Sequence, residues 1–424
     1  MGRAARLDST ADDGPAESGI RGLVRDPNYL SIWILGTLTG FIRWFQLLAL
    51  GVYTFEITGS PLLVSIVPVL WGLPLTFCGP IIGGVADRVN RKLLLGVSLA
   101  LILVVSIVMA FLSYTDRLEF VHIAIASALS GLFWATDMPV RRRLIGDLAG
   151  GSVSAAMGLD AATNSATRMV GPLFGGIMLQ LVGITGVFML STGVYATGLL
   201  LVVFARLPAH VKRSMSPALI LDLIAGLRFV IHDWELRRVF AVTIVFNVWG
   251  FPFTAMIPIL GKEQLGLDPF QVGMLSSLEG LGAFVGALFI AVLSKPKIFA
   301  KIFVWGAAGY LVTILYLSIL AFVAGGPYHS FITASMTLIV VGICGAGFAA
   351  MQSTLTYTNA PLEYRSRIFG VLALCIGTGP IGFLNVGWMA ESFGLPTALL
   401  VMSIEGMLVM LILWAYGVLA RPSE

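Results

Sequence analysis

Charge is what this sequence has least of. Only 11% of its 424 residues are charged, less than half of the roughly 25% a soluble domain carries. That excludes a chain solvated mainly by water. Cysteine is scarce too: Cys78, Cys344 and Cys375 all fall inside apolar runs and lack metal-ligand spacing. Neither a disulfide framework nor a zinc site is implied. The four histidines are dispersed. No nucleophile elbow or phosphate loop is present, and Cys344 and Ser353 lack a suitably placed His. No enzyme chemistry, metal or cofactor is therefore expected. The net charge of +4 comes from basic residues spread over short loops, so nucleic acid is not an expected partner.

What is abundant is apolar. Hydrophobic residues make up 58% of the chain, and mean hydropathy is +0.94. A bilayer span needs about 20 largely apolar residues. The sequence predicts twelve: 29–54, 61–84, 93–114, 119–138, 154–181, 184–205, 238–260, 270–293, 301–324, 331–354, 368–391 and 396–418. The 48 glycines suit close packing of membrane helices. Residues 1–28 mix acidic and basic groups and read as a cytoplasmic tail rather than a signal peptide. A second tail covers 419–424.

Orientation follows from the loops. With the N-terminus inside, 22 of the 26 Lys and Arg residues are cytoplasmic and two, Arg117 and Lys262, are outside. Arg43 and Arg168 lie within spans. Both termini are then cytoplasmic. The segment 207–237 links two bundles, 29–206 and 238–418. Leu219, Leu223, Leu227 and Val230 recur in it at helical spacing, widened by Ile220 and Ile224. That pattern predicts an amphipathic helix on the inner membrane surface; an early start to span seven is the alternative.

The halves look like copies. Thr58-Gly59-Ser60-Pro61 follows span one and Gly266-Leu267-Asp268-Pro269 follows span seven. Each places an N-cap residue before a Pro at the first helical position. Two six-span halves with a binding site between them make a transporter architecture.

Between spans two and three stands Gly83-Gly84-Val85-Ala86-Asp87-Arg88-Val89-Asn90-Arg91-Lys92. It resembles the loop signature of the major facilitator superfamily, Gly-x-x-x-Asp-Arg-x-Gly-Arg-Lys. Asn90 replaces the second Gly, and Asn is the next-best residue for a left-handed turn. The resemblance implies a conformational latch of Gly83, Gly84, Asp87, Arg88, Arg91 and Lys92. In it Asp87 meets the start of span eleven near Arg367–Gly370 and holds the cytoplasmic side closed.

Span five carries Arg168-Met169-Val170-Gly171-Pro172-Leu173-Phe174-Gly175-Gly176. This is similar to the Gly-Pro-x-x-Gly-Gly core of the superfamily's exporter motif, although Thr167 stands where a further Gly is common. Pro172 bends the helix, and Gly171, Gly175 and Gly176 allow tight packing. With Pro139-Val140-Arg141 and Arg365-Ser366-Arg367, the chain resembles the branch containing the enterobactin exporter and drug-efflux-like proteins. The resemblance implies an all-α fold of two pseudo-symmetric six-helix bundles in the bacterial inner membrane. It also implies a monomer exchanging protons for a small amphiphilic or anionic substrate amid membrane lipid. An importer, facilitator or lysolipid flippase of the same fold is the alternative.

Charges inside a membrane are costly and worth following. Two readings stay open for Arg43: it binds an anionic substrate group, or it pairs with an acidic residue such as Glu279. Glu279 is the carboxylate best suited to bind a proton, since burial disfavours a lone charge; a salt-bridged carboxylate is the alternative. Asp160, about 80° around span five from Arg168, is a second proton-coupling candidate. The family's cavity is lined by spans one, four, seven and ten. That implies Arg43, Gln46, Trp134, Asp137, Asn247, Trp249, Phe251 and Gln352 as substrate contacts.

Overall fold

The computed structural model describes residues 20–86, 89–207, 219–323 and 331–419. Among them the chain is helical, with no strand, as a lipid-solvated backbone requires. Among the described residues ten helices are long and apolar enough to cross a membrane.

Capping explains where the helices start. Helix α1 (Pro27–Thr58) opens with Asp26 accepting from the Asn28 N–H and with Pro at its first turn, and closes on Gly59 at φ 64°. Helix α2 (Pro61–Ala86) starts where Ser60 Oγ accepts from Leu63 N–H at 3.2 Å. Helix α3 (Arg91–Tyr114) is capped by Asn90, whose Oδ1 accepts from Lys92 and Leu93 N–H. Asn90 sits at φ −57°, so the expected left-handed turn is not what it provides. It replaces the signature's Gly as an N-cap instead. Helix α4 spans Phe120–Leu148.

The next helical segment runs over Val153–Phe204, too long at 1.5 Å per residue for one bilayer crossing. Gly183, at φ 73° and ψ −171°, breaks it into arms α5 (153–182) and α6 (184–204). Thr163 on the first arm accepts from the Trp33 indole, and Arg206 just past the second donates its N–H to Asn28. Both partners lie at the start of α1, so the arms form a hairpin.

Helix α7 (Leu219–His232) is separate from the next span, because Asp233 caps Leu236 N–H and starts α8 (Trp234–Gln264) afresh. Its two apolar edges have different neighbours. Val230 joins a small core with Leu236, Phe240, Ile368, Val371 and Leu372, while Ile224, Leu227 and Ile231 are exposed. Helix α8 contains π-type turns at Phe246–Gly250 and Leu260–Gln264, around Pro252 and Pro258. Then come α9 (Pro269–Leu293), α10 (Phe299–Val323), α11 (Phe331–Asn359), α12 (Arg365–Ile376), α13 (Gly379–Phe393) and α14 (Leu395–Ala415).

The repeat extends beyond the capped prolines. Gly59 and Gly266 share φ near 60°, and Gly183 and Gly394 share φ of 73° and 81° with extended ψ. The second member of each pair follows the first at a similar distance along the chain. Two large hydrophobic cores match this division: one runs from Leu23 to Val202 with Val272 added, the other from Val239 to Met410 with Val64 added.

Between the halves, α5 packs on α9 and α2 on α13. A Cβ on Gly273 would lie 2.6 Å from Pro172 O, and one on Gly280 would lie 2.8 Å from Met169 Cα. Gly176 meets Pro269 O and the Gly273 Cα as closely. Helices α5 and α9 thus touch backbone to backbone through small residues. Several polar cross-half contacts gather at the end bearing the four glycine turns. Lys262 pairs with Glu56 at 2.5 Å, Ser60 Oγ donates to Glu391 at 2.8 Å, and Phe270 N–H donates to Gln180 at 3.1 Å.

Candidate functional site

Each charge placed inside a span needs a partner, and the structure supplies most of them. Arg168 Nη2 lies 2.5 Å from Glu279 Oε1, joining α5 to α9 across the halves. Glu279 is buried and its backbone is gripped on the far side by Gly342 of α11. Of the two readings open for Arg43, pairing with Glu279 is not the one found, because Glu279 pairs with Arg168. Glu279 stands one helix further round, on the face that meets α5.

A second cluster sits near the basic end of the first half. Arg141 donates to Asp137 at 3.2 Å and to Asp160 at 2.6 Å, and Arg142 reaches Asp160 at 3.4 Å. Asp137 is fully buried and Arg141 and Asp160 nearly so. Gly36 of α1 makes room for the Arg141 guanidinium. Asp160 is thus doubly paired rather than a lone carboxylate. Asp137 is held by Arg141 and does not line the pocket described below.

Arg43 is different. Its Cζ lies over three indole rings, at 4.1 Å from the Trp134 centroid, 4.5 Å from Trp44 and 4.7 Å from Trp71. Among the described residues no carboxylate and no hydrogen-bond acceptor engages it, whereas Arg141, Arg168 and Arg238 each have a carboxylate. Cation–π attraction recovers about 0.5–2 kcal/mol per ring, against several kcal/mol for desolvating an ion. Trp44 is shared: the Arg168 Cζ lies 5.3 Å from the same ring. Gly171 seats it, since a Cβ there would be 2.7 Å from the Trp44 Cβ. Gly175 likewise lies against Phe45 O. The motif Gly171-Pro172-x-x-Gly175-Gly176 therefore wedges α5 between α1 and α9.

Arg43 opens onto a small pocket of about 30 Å³. Gln46 and Trp134 line it as expected, joined by Trp71, Ser127, Ser130 and Tyr195. The lining comes from α1, α2, α4 and α6, all in the first half. Gln46 donates to Ser191 at 2.9 Å. The second-half candidates lie elsewhere. Trp249 donates to Glu405 of α14 at 2.9 Å and so turns away from the first half. Asn247 and Gln352 both bond back to Thr243, and Phe251 packs edge-on against Phe383. None of these four lines this pocket.

Trp44 and Trp71 were not singled out from the sequence. The available signal was Arg43 itself, because a cation at mid-span with no acid of its own demands aromatic faces.

In the loop motif, Asp87 and Arg88 lie outside the described residues, and Gly83 and Gly84 lie near the end of α2. Arg91 pairs with Asp147 at the end of α4. Lys92 Nζ donates to the carbonyls of Val203 and Ala205 at 2.8 Å each, where a cation complements a helix C-terminus. These two residues bind the loop to its own half. Among the described residues no cluster of His, Cys, Asp and Glu could hold a metal ion.

The sequence profile of the Major Facilitator Superfamily matches residues 32–379. The chain belongs to this superfamily. As such it is a multi-pass membrane transporter and not an enzyme. It is similar to the multidrug efflux pump Tap of Mycolicibacterium fortuitum, 24% identical over 82% of this chain and 86% of that one. It is similar also to the staphyloferrin A transporter of Staphylococcus aureus, 21% identical over 76% and 79%. These relatives place this superfamily member with the efflux-like branch. The nucleoside transporter NupG shares the fold, with a TM-score of 0.74, 15% identity and coverage of 91% and 98%.

Proposed function

We propose that the chain is a proton-coupled exporter of a small amphiphilic or anionic molecule, working by alternating access. The observation that carries this reading is Arg43, an intramembrane cation with no described acid partner, facing a pocket between spans. The ten long apolar helices already include the joined α12–α13; counting the arms about Gly183 separately and adding α2 supports twelve spans in two bundles, 29–206 and 238–418. The one-sided distribution of Lys and Arg supports cytoplasmic placement of both termini, and the bacterial relatives support an inner-membrane setting.

That orientation makes the glycine-turn end the outer one. The pairs Glu56–Lys262, Ser60–Glu391 and Gln180–Phe270 then support a closed outer face. Opening outward has to pull Arg168 from Glu279, which would strand a buried charge. A proton on Glu279 removes that cost, which supports proton coupling at this pair. Relatives named as efflux pumps support export.

The test is substrate-driven proton flux in vesicles containing the purified protein, under an imposed pH gradient, with amphiphilic anions and cations as substrates. Flux that Glu279→Gln abolishes is the expected result. Transport indifferent to the gradient overturns proton coupling, and accumulation against the exporting direction in inverted vesicles favours an importer or flippase.

A further inference from the structure

A guanidinium carries five N–H donors in one plane. In Arg43 the indoles of Trp44, Trp71 and Trp134 answer its charge, but an aromatic face offers no directional acceptor to an in-plane N–H fork. What remains unsatisfied is geometric: two parallel donors looking for two oxygens.

The rest of the pocket wall narrows the ligand. The Gln46 amide donates to Ser191, the Ser127 hydroxyl to Ile123 O, and the Thr39 hydroxyl to Gly36 O. Three of the polar neighbours are thus committed. Ser130 and Tyr195 add two further hydroxyls, and the rest of the wall is apolar or aromatic, with Leu47, Leu50, Val67 and Phe133. A second cation inside the cage would be repelled by the one already there. A dianionic phosphate brings a second negative charge, and Arg43 is the one cation among the pocket's lining residues. A carboxylate group fits: one negative charge and two coplanar oxygens for the fork, in a pocket small enough that the apolar body it belongs to lies beyond it.

We propose that the Arg43 pocket is a carboxylate site, taking monoanionic amphiphiles whose carboxylate is gripped bidentately by the Arg43 guanidinium. This rests on the reading that the pocket takes the transported molecule, and it narrows that molecule to a class. Because the pocket is lined from the first half alone, the carboxylate travels with that half while the second half moves past it.

The test uses the full chain in nanodiscs and direct binding, read by quenching of tryptophan fluorescence; three of the nine tryptophans surround the site. The probes are 4-phenylbutyrate, its primary amide and 4-phenylbutylammonium. The acid binds saturably, the amide at least about 10-fold more weakly, and the ammonium not at all. Arg43→Lys keeps the charge but not the fork and weakens the acid about 10-fold; Arg43→Gln weakens it about 100-fold. The amide comparison needs no variant, so misfolding of a mutant cannot imitate the result. Equal binding of acid and amide, acid binding unchanged in Arg43→Gln, or no saturable acid binding each overturns the carboxylate class. Proton-coupled export is scored separately, in vesicles with other substrates. If that flux persists without acid binding, only the carboxylate class falls; if acid binds but no substrate moves, export falls and the site stands.

Discussion

Adding one methyl group at Gly273 should tilt the balance between the two faces of the transporter. The Cβ of Gly273→Ala would lie 2.6 Å from Pro172 O, with Gly176 Cα at 3.1 Å and Gly176 N at 3.2 Å, where ordinary contact begins at 3.4 Å. All three atoms are backbone of the opposing helix, so no side chain can rotate away. Helices α5 and α9 must separate by about 1 Å at the outer end. Overpacking of this kind costs about 1–3 kcal/mol, and the cost falls only on the state in which the helices touch. The ratio of outer-closed to outer-open molecules should drop by roughly 5- to 150-fold. Alanine is itself the better helix former by about 1 kcal/mol, so global melting is a poor readout and populations are the right one. Spin labels at Leu181 and Phe270, on a background free of Cys78, Cys344 and Cys375, report the distance between the outer ends. A longer-distance population should appear in Gly273→Ala. It should be missing in Gly193→Ala, whose Cβ would meet nothing within 4 Å. An unchanged distance distribution in Gly273→Ala would refute the claim that this contact holds the outer face closed.

The Arg168–Glu279 pair should show the asymmetry of buried ion pairs. Glu279→Gln alone should destabilise by about 3–5 kcal/mol, while a Glu279→Met, Arg168→Met double variant should recover much of it; thermal unfolding in detergent decides, and a neutral single variant contradicts the pairing. Asn90→Ala should cost about 1 kcal/mol, and Asn90→Gly only a few tenths, because Gly is a tolerable N-cap. Equal losses in the two unfolding curves would speak against the cap. Glu405 accepts from Trp249 in this fold, and a Gln amide oxygen can still do so, so Glu405→Gln should lower stability by no more than about 1 kcal/mol and leave proton-coupled flux intact. Loss of coupling in that variant would place Glu405 in the proton path.

The sequence by itself determined the membrane, the helices and the family. Apolar runs with 11% charge have no other solvent than lipid, and caps such as Asp26, Ser60 and Asp268 mark helix starts through local chemistry alone. The loop motif and the Gly171–Gly176 core are local strings too, readable without a fold. The tertiary structure decided who faces whom. Arg43 could have met Glu279 as far as helical periodicity tells; the packing of α5 on α9 gave Glu279 to Arg168 and left Arg43 to Trp44, Trp71 and Trp134. Trp249 sits in a span implied to line the cavity, yet its rotation about the helix axis sends it to Glu405. Asn90 showed a left-handed preference by residue type, yet at φ −57° it caps α3. Each of these turns on the rotation and approach of helices far apart in sequence. That geometry is fixed by small residues such as Gly171, Gly273 and Gly342, whose partners no single segment reveals.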